Sequence, residues 1–131
     1  MNLTTRMRRI LVITCLMIFF SPLASAETYL ISGKATYADN SAVPLEYITV
    51  QCEGGNYDCY QHRGSRVMTN AYGDFTLMLD VENEDDELEI FLSLRGENFS
   101  HVIDLSGMGE SGQKSVAQDI KLAQFPPPSG V

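Results

Sequence analysis

The sequence predicts an all-β protein, an antiparallel β-sandwich of seven short strands. Apolar and polar residues alternate over several short runs, which is the pattern of a strand with one buried face. Gly, Asn, Asp and Ser residues that favour turns separate the runs, and no long window has a helical period. Short strands with frequent turns indicate two packed sheets.

Four of the predicted strands lie in the first half of the domain, at residues 28–37, 47–53, 66–69 and 74–81. Gly73 precedes the fourth in an Asn-Ala-Tyr-Gly turn, where glycine adopts a positive φ at little cost. That fourth run is the clearest, because every second residue is apolar: Phe75, Leu77, Leu79 and Val81.

The other three predicted strands cover residues 88–94, 99–105 and 116–122. In the first of these, Phe91 interrupts the polar side of the alternation, so we expect that side to be partly covered as well. Residues 124–131 contain three consecutive prolines, which cannot join a sheet ladder. This segment is therefore predicted to be an extended, Pro-rich tail.

The first 26 residues have the pattern of a secretory signal peptide. Three arginines (Arg6, Arg8 and Arg9) precede an apolar run over residues 10–20, and Ala-Ser-Ala at 24–26 fits a cleavage site. The run is about eleven residues long, against the roughly 20 that a spanning helix needs. We therefore expect no membrane span, export to the periplasm or the extracellular space, and a mature domain of residues 27–123.

The charge of the mature chain limits its partners. The leader holds three arginines and no acidic residue, so the remainder has six basic and 17 acidic residues, a net charge of −11. Such a surface repels phosphate backbones and anionic lipid, which excludes nucleic acid as a partner. Cationic partners and divalent metals stay open.

The mature cysteines, Cys52 and Cys59, form an even pair in a compartment expected to be oxidising, which predicts a disulfide. A zinc site would need further ligands, and only His62 is near in sequence. A redox motif would need Cys-x-x-Cys spacing, which is absent. A disulfide that closes so short a loop stabilises the fold by about 2.5 kcal/mol in the chain-entropy treatment.

Several segments resemble the carboxypeptidase regulatory-like domain, one of the transthyretin-like (prealbumin-like) sandwiches. They are Ile-Ser-Gly-Lys-Ala at 31–35, the Val-Pro-Leu step into a strand at 43–50, and Thr-Asn-Ala-Tyr-Gly-Asp-Phe at 69–75. In the last motif Asn70 stands where the family has Asp, and residues 95–99 lack the family's later proline. The resemblance implies a non-catalytic module for folding support, display or binding. The broader immunoglobulin-like class also fits, although a chain without tryptophan cannot carry the Cys-Trp-Cys pattern of antibody domains.

An acidic run follows the fourth predicted strand and suggests a calcium site, because calcium prefers carboxylate oxygens on a flexible loop. The alternative is a solvated loop whose like charges discourage aggregation. No EF-hand spacing is present. The candidate calcium ligands are Asp80, Glu82, Glu84, Asp85 and Asp86.

The loop around the predicted disulfide has the composition of a recognition surface, with tyrosine, histidine and arginine close together. It is suited to a protein partner or to stacking on sugar rings. The alternative is that the tyrosines pack over the edge of the sandwich. The candidate binding residues are Tyr57, Tyr60, His62 and Arg63.

Catalysis finds little support. His-Arg-Gly-Ser at 62–65 and His-Val-Ile-Asp at 101–104 resemble segments of transthyretin-like 5-hydroxyisourate hydrolases, but in reversed order and away from the termini. No nucleophile-elbow motif accompanies Ser65. We therefore expect a non-enzymatic module that binds a protein partner or supports assembly, with no cofactor. A calcium- or carbohydrate-binding module is the alternative, and a hydrolase is a more distant one.

Overall fold

The computed structural model describes residues 27–108 and 111–128. Two four-stranded sheets make up the domain, which confirms the predicted all-β sandwich. No helix among these residues is long and apolar enough to cross a membrane. The predicted leader, residues 1–26, and residues 129–131 of the predicted tail lie outside the described residues.

The strands are short, as the turn spacing predicts, and two short 3₁₀ helices lie in the loops between them. The 3₁₀ helices are η1, Tyr57–His62, and η2, Asn83–Asp85. The strands are β1 Glu27–Thr36, β2 Tyr47–Gln51, β3 Arg66–Met68, β4 Asp74–Val81, β5 Glu89–Leu94, β6 Glu97–Val102, β7 Gln113–Ala117 and β8 Ile120–Lys121.

The described residues form eight strands where the sequence predicts seven, because the predicted last strand is divided. β7 and β8 both pair with β1 and are separated by Gln118 and Asp119. At this break the carbonyl oxygen of Gln118 lies so close to Gly33 that a Cβ there would be 2.0 Å away. Only glycine accommodates this close approach of the backbone. At the same break, the Asp119 side chain accepts a hydrogen bond from the Lys34 backbone N–H (2.9 Å).

The prediction of a wholly antiparallel sandwich is wrong for the first sheet. β1 lies at its centre, antiparallel to β4 but parallel to β7 and β8. The chain passes from β6 in the other sheet to β7, and a connection of this length permits a parallel neighbour. The second sheet has the order β3-β2-β5-β6 and is antiparallel throughout.

The core lies between the two sheets and follows the predicted alternation. The inward residues of β4 are all buried, while the alternate residues are exposed. Phe91 is half-buried on the other side of β5, which confirms that this side is partly covered. The largest wholly buried side chains come from both sheets and include Tyr29, Ile31, Ile48, Leu77, Ile90 and Leu92.

Candidate functional site

The disulfide between Cys52 and Cys59 is present, with the two Cα atoms 5.7 Å apart. Cys52 follows the end of β2, and Cys59 lies within η1, where it is completely buried. The bond therefore fixes η1 to the end of the second sheet. The adjoining residues are held on a rigid, compact loop.

Three of the four predicted binding residues lie on the surface of this loop. The side chain of Tyr57 is 78% exposed and that of Tyr60 is 40% exposed. Their rings meet edge to face with centroids 5.6 Å apart, and the Arg63 guanidinium lies 5.9 Å from the Tyr60 ring centroid. Tyr57 is too exposed to be packed over the sandwich edge, so it is accessible to a partner.

The fourth predicted binding residue, His62, is buried, and the expectation that it contacts a partner needs correction. Only 3% of the residue is exposed. Its Nε2 atom lies 3.3 Å from Oδ2 of Asp85, close enough for an ion pair when the ring is protonated. The two atoms lack the alignment of a hydrogen bond, since Nε2 has no hydrogen-bond partner among the described residues. His62 is therefore a buried residue that supports the loop, and it is not available to a partner.

Asp85 joins the disulfide loop to the acidic loop. It lies in η2, is 2% exposed, and accepts a 2.6 Å hydrogen bond from Nε2 of Gln61 in η1. Its other carboxylate oxygen accepts the backbone N–H of Glu82 at 2.9 Å, which completes a capping box at the start of η2. The two surfaces that the sequence predicts separately are therefore parts of one site.

A pocket of about 240 Å³ opens between η1 and η2. Four of its six lining side chains are carboxylates, and an exposed tyrosine forms part of the wall. The two sides of the pocket come from different loops, about 25 residues apart in sequence. The lining residues are Tyr57, Asp58, Gln61, Glu82, Glu84 and Asp85.

The carboxylates of this pocket repel one another. The pKa of Glu82 is raised above its ordinary value of 4.5, first by a hydrogen bond shared with the Glu84 carboxyl and then by the charge of Glu84. Burial and the charge of Asp85 act in the same direction. Like charges held together disfavour full ionisation, so the pocket has an unfavourable electrostatic energy that a bound cation would relieve.

Only three of the five predicted calcium ligands line the pocket. Glu82, Glu84 and Asp85 line the pocket, whereas Asp80 is an exposed residue of β4. Asp86 accepts a hydrogen bond from the Leu105 backbone N–H (2.9 Å). In residues 27–108 and 111–128, no group of three or more His, Cys, Asp and Glu side chains is arranged to hold a metal ion. Calcium binding stays an untested alternative.

The two histidine tetrapeptides have different surroundings. Whereas His62 faces Asp85, His101 belongs to a hydrogen-bond chain between the sheets. Its Nδ1 contacts Oε1 of Gln118, which can only accept, so Nδ1 donates. Nε2 then accepts from the Tyr29 hydroxyl at 2.8 Å, and burial raises the pKa of Tyr29. His101 is thus part of the core.

Sequence reasoning missed the bonding roles of Gln61, Asp85 and the pair formed by Tyr29 and His101. A signal existed only for Tyr29, because it continues the buried alternation of β1 and a buried hydroxyl requires a partner. Gln61 and Asp85 stand in polar loops whose approach depends on the packing of the sandwich.

Comparison with known proteins shows similarity of fold alone. No family model matches the chain, and no curated protein matches it in sequence. A solved dioxygenase domain, from a dioxygenase carbohydrate-binding protein fusion of the cellulolytic bacterium Streptomyces sp. SirexAA-E, superposes with a TM-score of 0.51 at 14% identity. The match covers 80% of this chain and 85% of that domain. A 9R-lipoxygenase from Cyanothece matches 86% of this chain over 19% of its own, with a TM-score of 0.40 and 10% identity.

Proposed function

We propose that this protein is an exported, non-catalytic β-sandwich module that binds a protein partner through the pocket between η1 and η2. The partner would insert a basic side chain, lysine or arginine, between the carboxylates. The meeting of the disulfide loop and the acidic loop at one concave, acidic surface is the observation that carries this proposal.

The chemistry of the pocket favours a cation. Asp58, Glu82 and Glu84 are exposed carboxylates on its rim, and the pKa of Glu82 is raised by a hydrogen bond with Glu84 and, next, by the repulsion of the Glu84 charge. A basic side chain would offset that repulsion. The exposed ring of Tyr57 at the same wall provides a face for a cation–π contact, which is stronger as water is excluded.

The rigidity of the site favours binding. The disulfide holds η1, and the capping box together with the Gln61–Asp85 hydrogen bond holds η2 against it. A site that is ordered before binding loses less conformational entropy when a partner docks. The strong negative charge of the mature chain would also speed the encounter with a basic partner at low salt.

Export is supported by two independent features. The residues before Glu27 have the pattern of a signal peptide, and a disulfide is typical of proteins in an oxidising compartment. N-terminal sequencing of protein from the periplasm or the medium should show Glu27 as the first residue. Protein that keeps residues 1–26 in the cytoplasm would contradict export.

A titration with defined peptides tests the pocket. We expect a short arginine peptide to bind the mature protein, more weakly as salt increases, and a glutamine peptide of equal length not to bind. The double variant E82Q/E84Q should weaken binding about tenfold. The control E53Q/E87Q removes the same charge at exposed positions that do not line the pocket and should change binding less than about twofold, because exposed charges that do not contact the peptide are screened by salt.

Two outcomes would overturn the proposal. Equal loss of affinity in both double variants would mean that net charge, and not the pocket, attracts the peptide. Accelerated loss of 5-hydroxyisourate in the presence of purified protein would contradict the non-catalytic assignment. Tyr57→Ala provides a third check, since it should weaken peptide binding without altering the net charge.

A further inference from the structure

Residues 125–128, Phe-Pro-Pro-Pro, follow β8 and belong to no strand, and all but the half-buried Pro126 are exposed. Proline fixes φ near −65°, and a residue that precedes proline is restricted to extended conformations. Phe125, Pro126 and Pro127 each precede a proline, so local sterics favour polyproline II over the whole segment. Such a helix has three residues per turn, which places Phe125 and Pro128 on the same edge.

The base of this segment is clamped to the domain. The Glu97 carboxylate accepts hydrogen bonds from the backbone N–H of Ala123 at 2.8 Å and of Gln124 at 3.3 Å. The Gln124 side chain donates to Glu97 at 2.8 Å and to the Arg95 carbonyl at 3.0 Å, and the Gln124 backbone carbonyl accepts from the Ala38 N–H at 3.0 Å. The residue immediately before Phe125 is therefore held in place against the domain.

Phe125 is exposed, unlike the last large apolar residue before it in the chain. Leu122, three residues earlier, is 1% exposed, whereas Phe125 is 71% exposed. A large aromatic side chain left in water at the start of a stiff segment is available to fill a pocket on another molecule. An exposed aromatic residue followed by three prolines, next to a residue fixed by hydrogen bonds, is suited to binding another protein.

We propose that residues 125–128 are a polyproline II ligand, which docks in an aromatic-lined groove of a separate protein with Phe125 as its anchor. Grooves of this kind recognise segments that are already extended, because little entropy is lost on binding. The inference is independent of the pocket between η1 and η2, since it uses a different segment and different chemistry.

Circular dichroism of the full mature protein tests the conformation. The difference spectrum between the protein and the variant P126A/P127A/P128A should contain the positive far-ultraviolet band of polyproline II. Thermal melting should be unchanged, because the three prolines lie outside the sheets. Identical spectra would overturn the proposed geometry.

Cross-linking in cells that produce the protein tests the partner. A photoreactive phenylalanine analogue at position 125 should give a cross-linked product with a different protein. A peptide of sequence Ala-Gln-Phe-Pro-Pro-Pro should compete for that product, whereas the peptide with alanine in place of phenylalanine should compete at least about tenfold less. The matched control places the analogue at Tyr72, which is equally exposed (72%), and should not give the competed product.

Several outcomes of the cross-linking experiment would overturn the proposal. No cross-link, or a cross-link that the Phe-Pro-Pro-Pro peptide does not displace, would show that no groove recognises the segment. A product that contains two copies of this chain would mean that the segment docks on the protein itself. An unchanged product from the variant E82Q/E84Q is expected, and its loss would assign the contact to the acidic pocket instead.

Discussion

Nε2 of Gln61 donates a 2.6 Å hydrogen bond to Oδ1 of Asp85, and this contact joins two loops that are 24 residues apart. Gln61 belongs to the 3₁₀ helix that carries the disulfide, and Asp85 belongs to the 3₁₀ helix of the acidic loop. Because Asp85 is buried, little water competes for the bond. The shape of the pocket depends on it.

Replacing Asp85 with alanine should destabilise the protein by about 2–3 kcal/mol, because a buried carboxyl group that accepts two hydrogen bonds is lost. The donors are the Gln61 side chain and the Glu82 backbone N–H. Urea unfolding measures the change. Asp80→Ala is the control, and it should stay within about 0.5 kcal/mol because Asp80 is exposed. Equal effects of the two substitutions would contradict the role of Asp85.

Gly33→Ala should be among the most destabilising single substitutions, with a loss above about 4 kcal/mol or failure to fold. Its Cβ would lie 2.0 Å from the Gln118 carbonyl oxygen, and that backbone cannot retreat without breaking the pairing of β7 and β8 with β1. Gly54→Ala is the control, since no heavy atom lies within 4 Å of the Cβ it would add. Thermal melting compares the two variants, and a stable G33A protein would contradict the close approach.

The Glu97 clamp should make stability depend on pH. The hydrogen bond from the Ala123 N–H, followed by that from the Gln124 side chain, lowers the pKa of Glu97 below its ordinary value of 4.5. A lowered folded-state pKa means stability that is present above pH 4.5 and is lost as pH falls through the folded value. The difference in unfolding free energy between the protein and E97Q should therefore shrink on acidification. A difference that stays constant with pH would contradict this assignment.

Glu84→Gln should restore the pKa of Glu82 towards 4.5, because the hydrogen bond and charge of Glu84 are the two largest causes of its rise. A raised folded-state pKa means that Glu82 costs stability as pH rises above 4.5, so the stability of E84Q relative to the parent should increase from acid to neutral pH. Carbon-13 NMR of the Glu82 carboxyl measures the pKa. Glu87→Gln, a substitution outside the pocket, should leave it unchanged.

Calcium should leave the melting temperature unchanged. The ion requires six to eight oxygen ligands, whereas Asp85 and Asp86 already accept hydrogen bonds from Gln61 and Leu105. Scanning calorimetry with and without calcium checks this expectation. A rise in melting temperature that chelation reverses and E82Q/E84Q abolishes would instead establish a calcium site at the pocket.

The burial pattern could be read from the sequence with good accuracy, but strand pairing could not. The inward residues of β4 are buried as predicted, because alternation depends only on which face of a strand meets the core. The relative direction of two paired strands does not follow from such a local pattern. The parallel pairing of β1 with β7 depends on where the chain crosses between sheets, and neither strand's own residues encode that crossing.

The candidate site shows the same division. The disulfide was predictable, since cysteine spacing is a local property, whereas the sequence left open whether Tyr57 and Tyr60 are exposed or packed over the sandwich edge. His62 was assigned to the surface by its neighbours in sequence, yet it is buried against Asp85. Its burial follows from the position of η2, which belongs to the connection between β4 and β5.

By itself, the sequence determined the all-β class, the face of each main strand that is buried, and the cysteine pair that closes a loop. These properties arise from residues close together in the chain. Only the tertiary structure decided that η1 and η2 meet, that Asp85 bonds to Gln61, and that Gly33 admits the Gln118 carbonyl. Such contacts join distant segments, and they form only when two twisted sheets pack in one particular register.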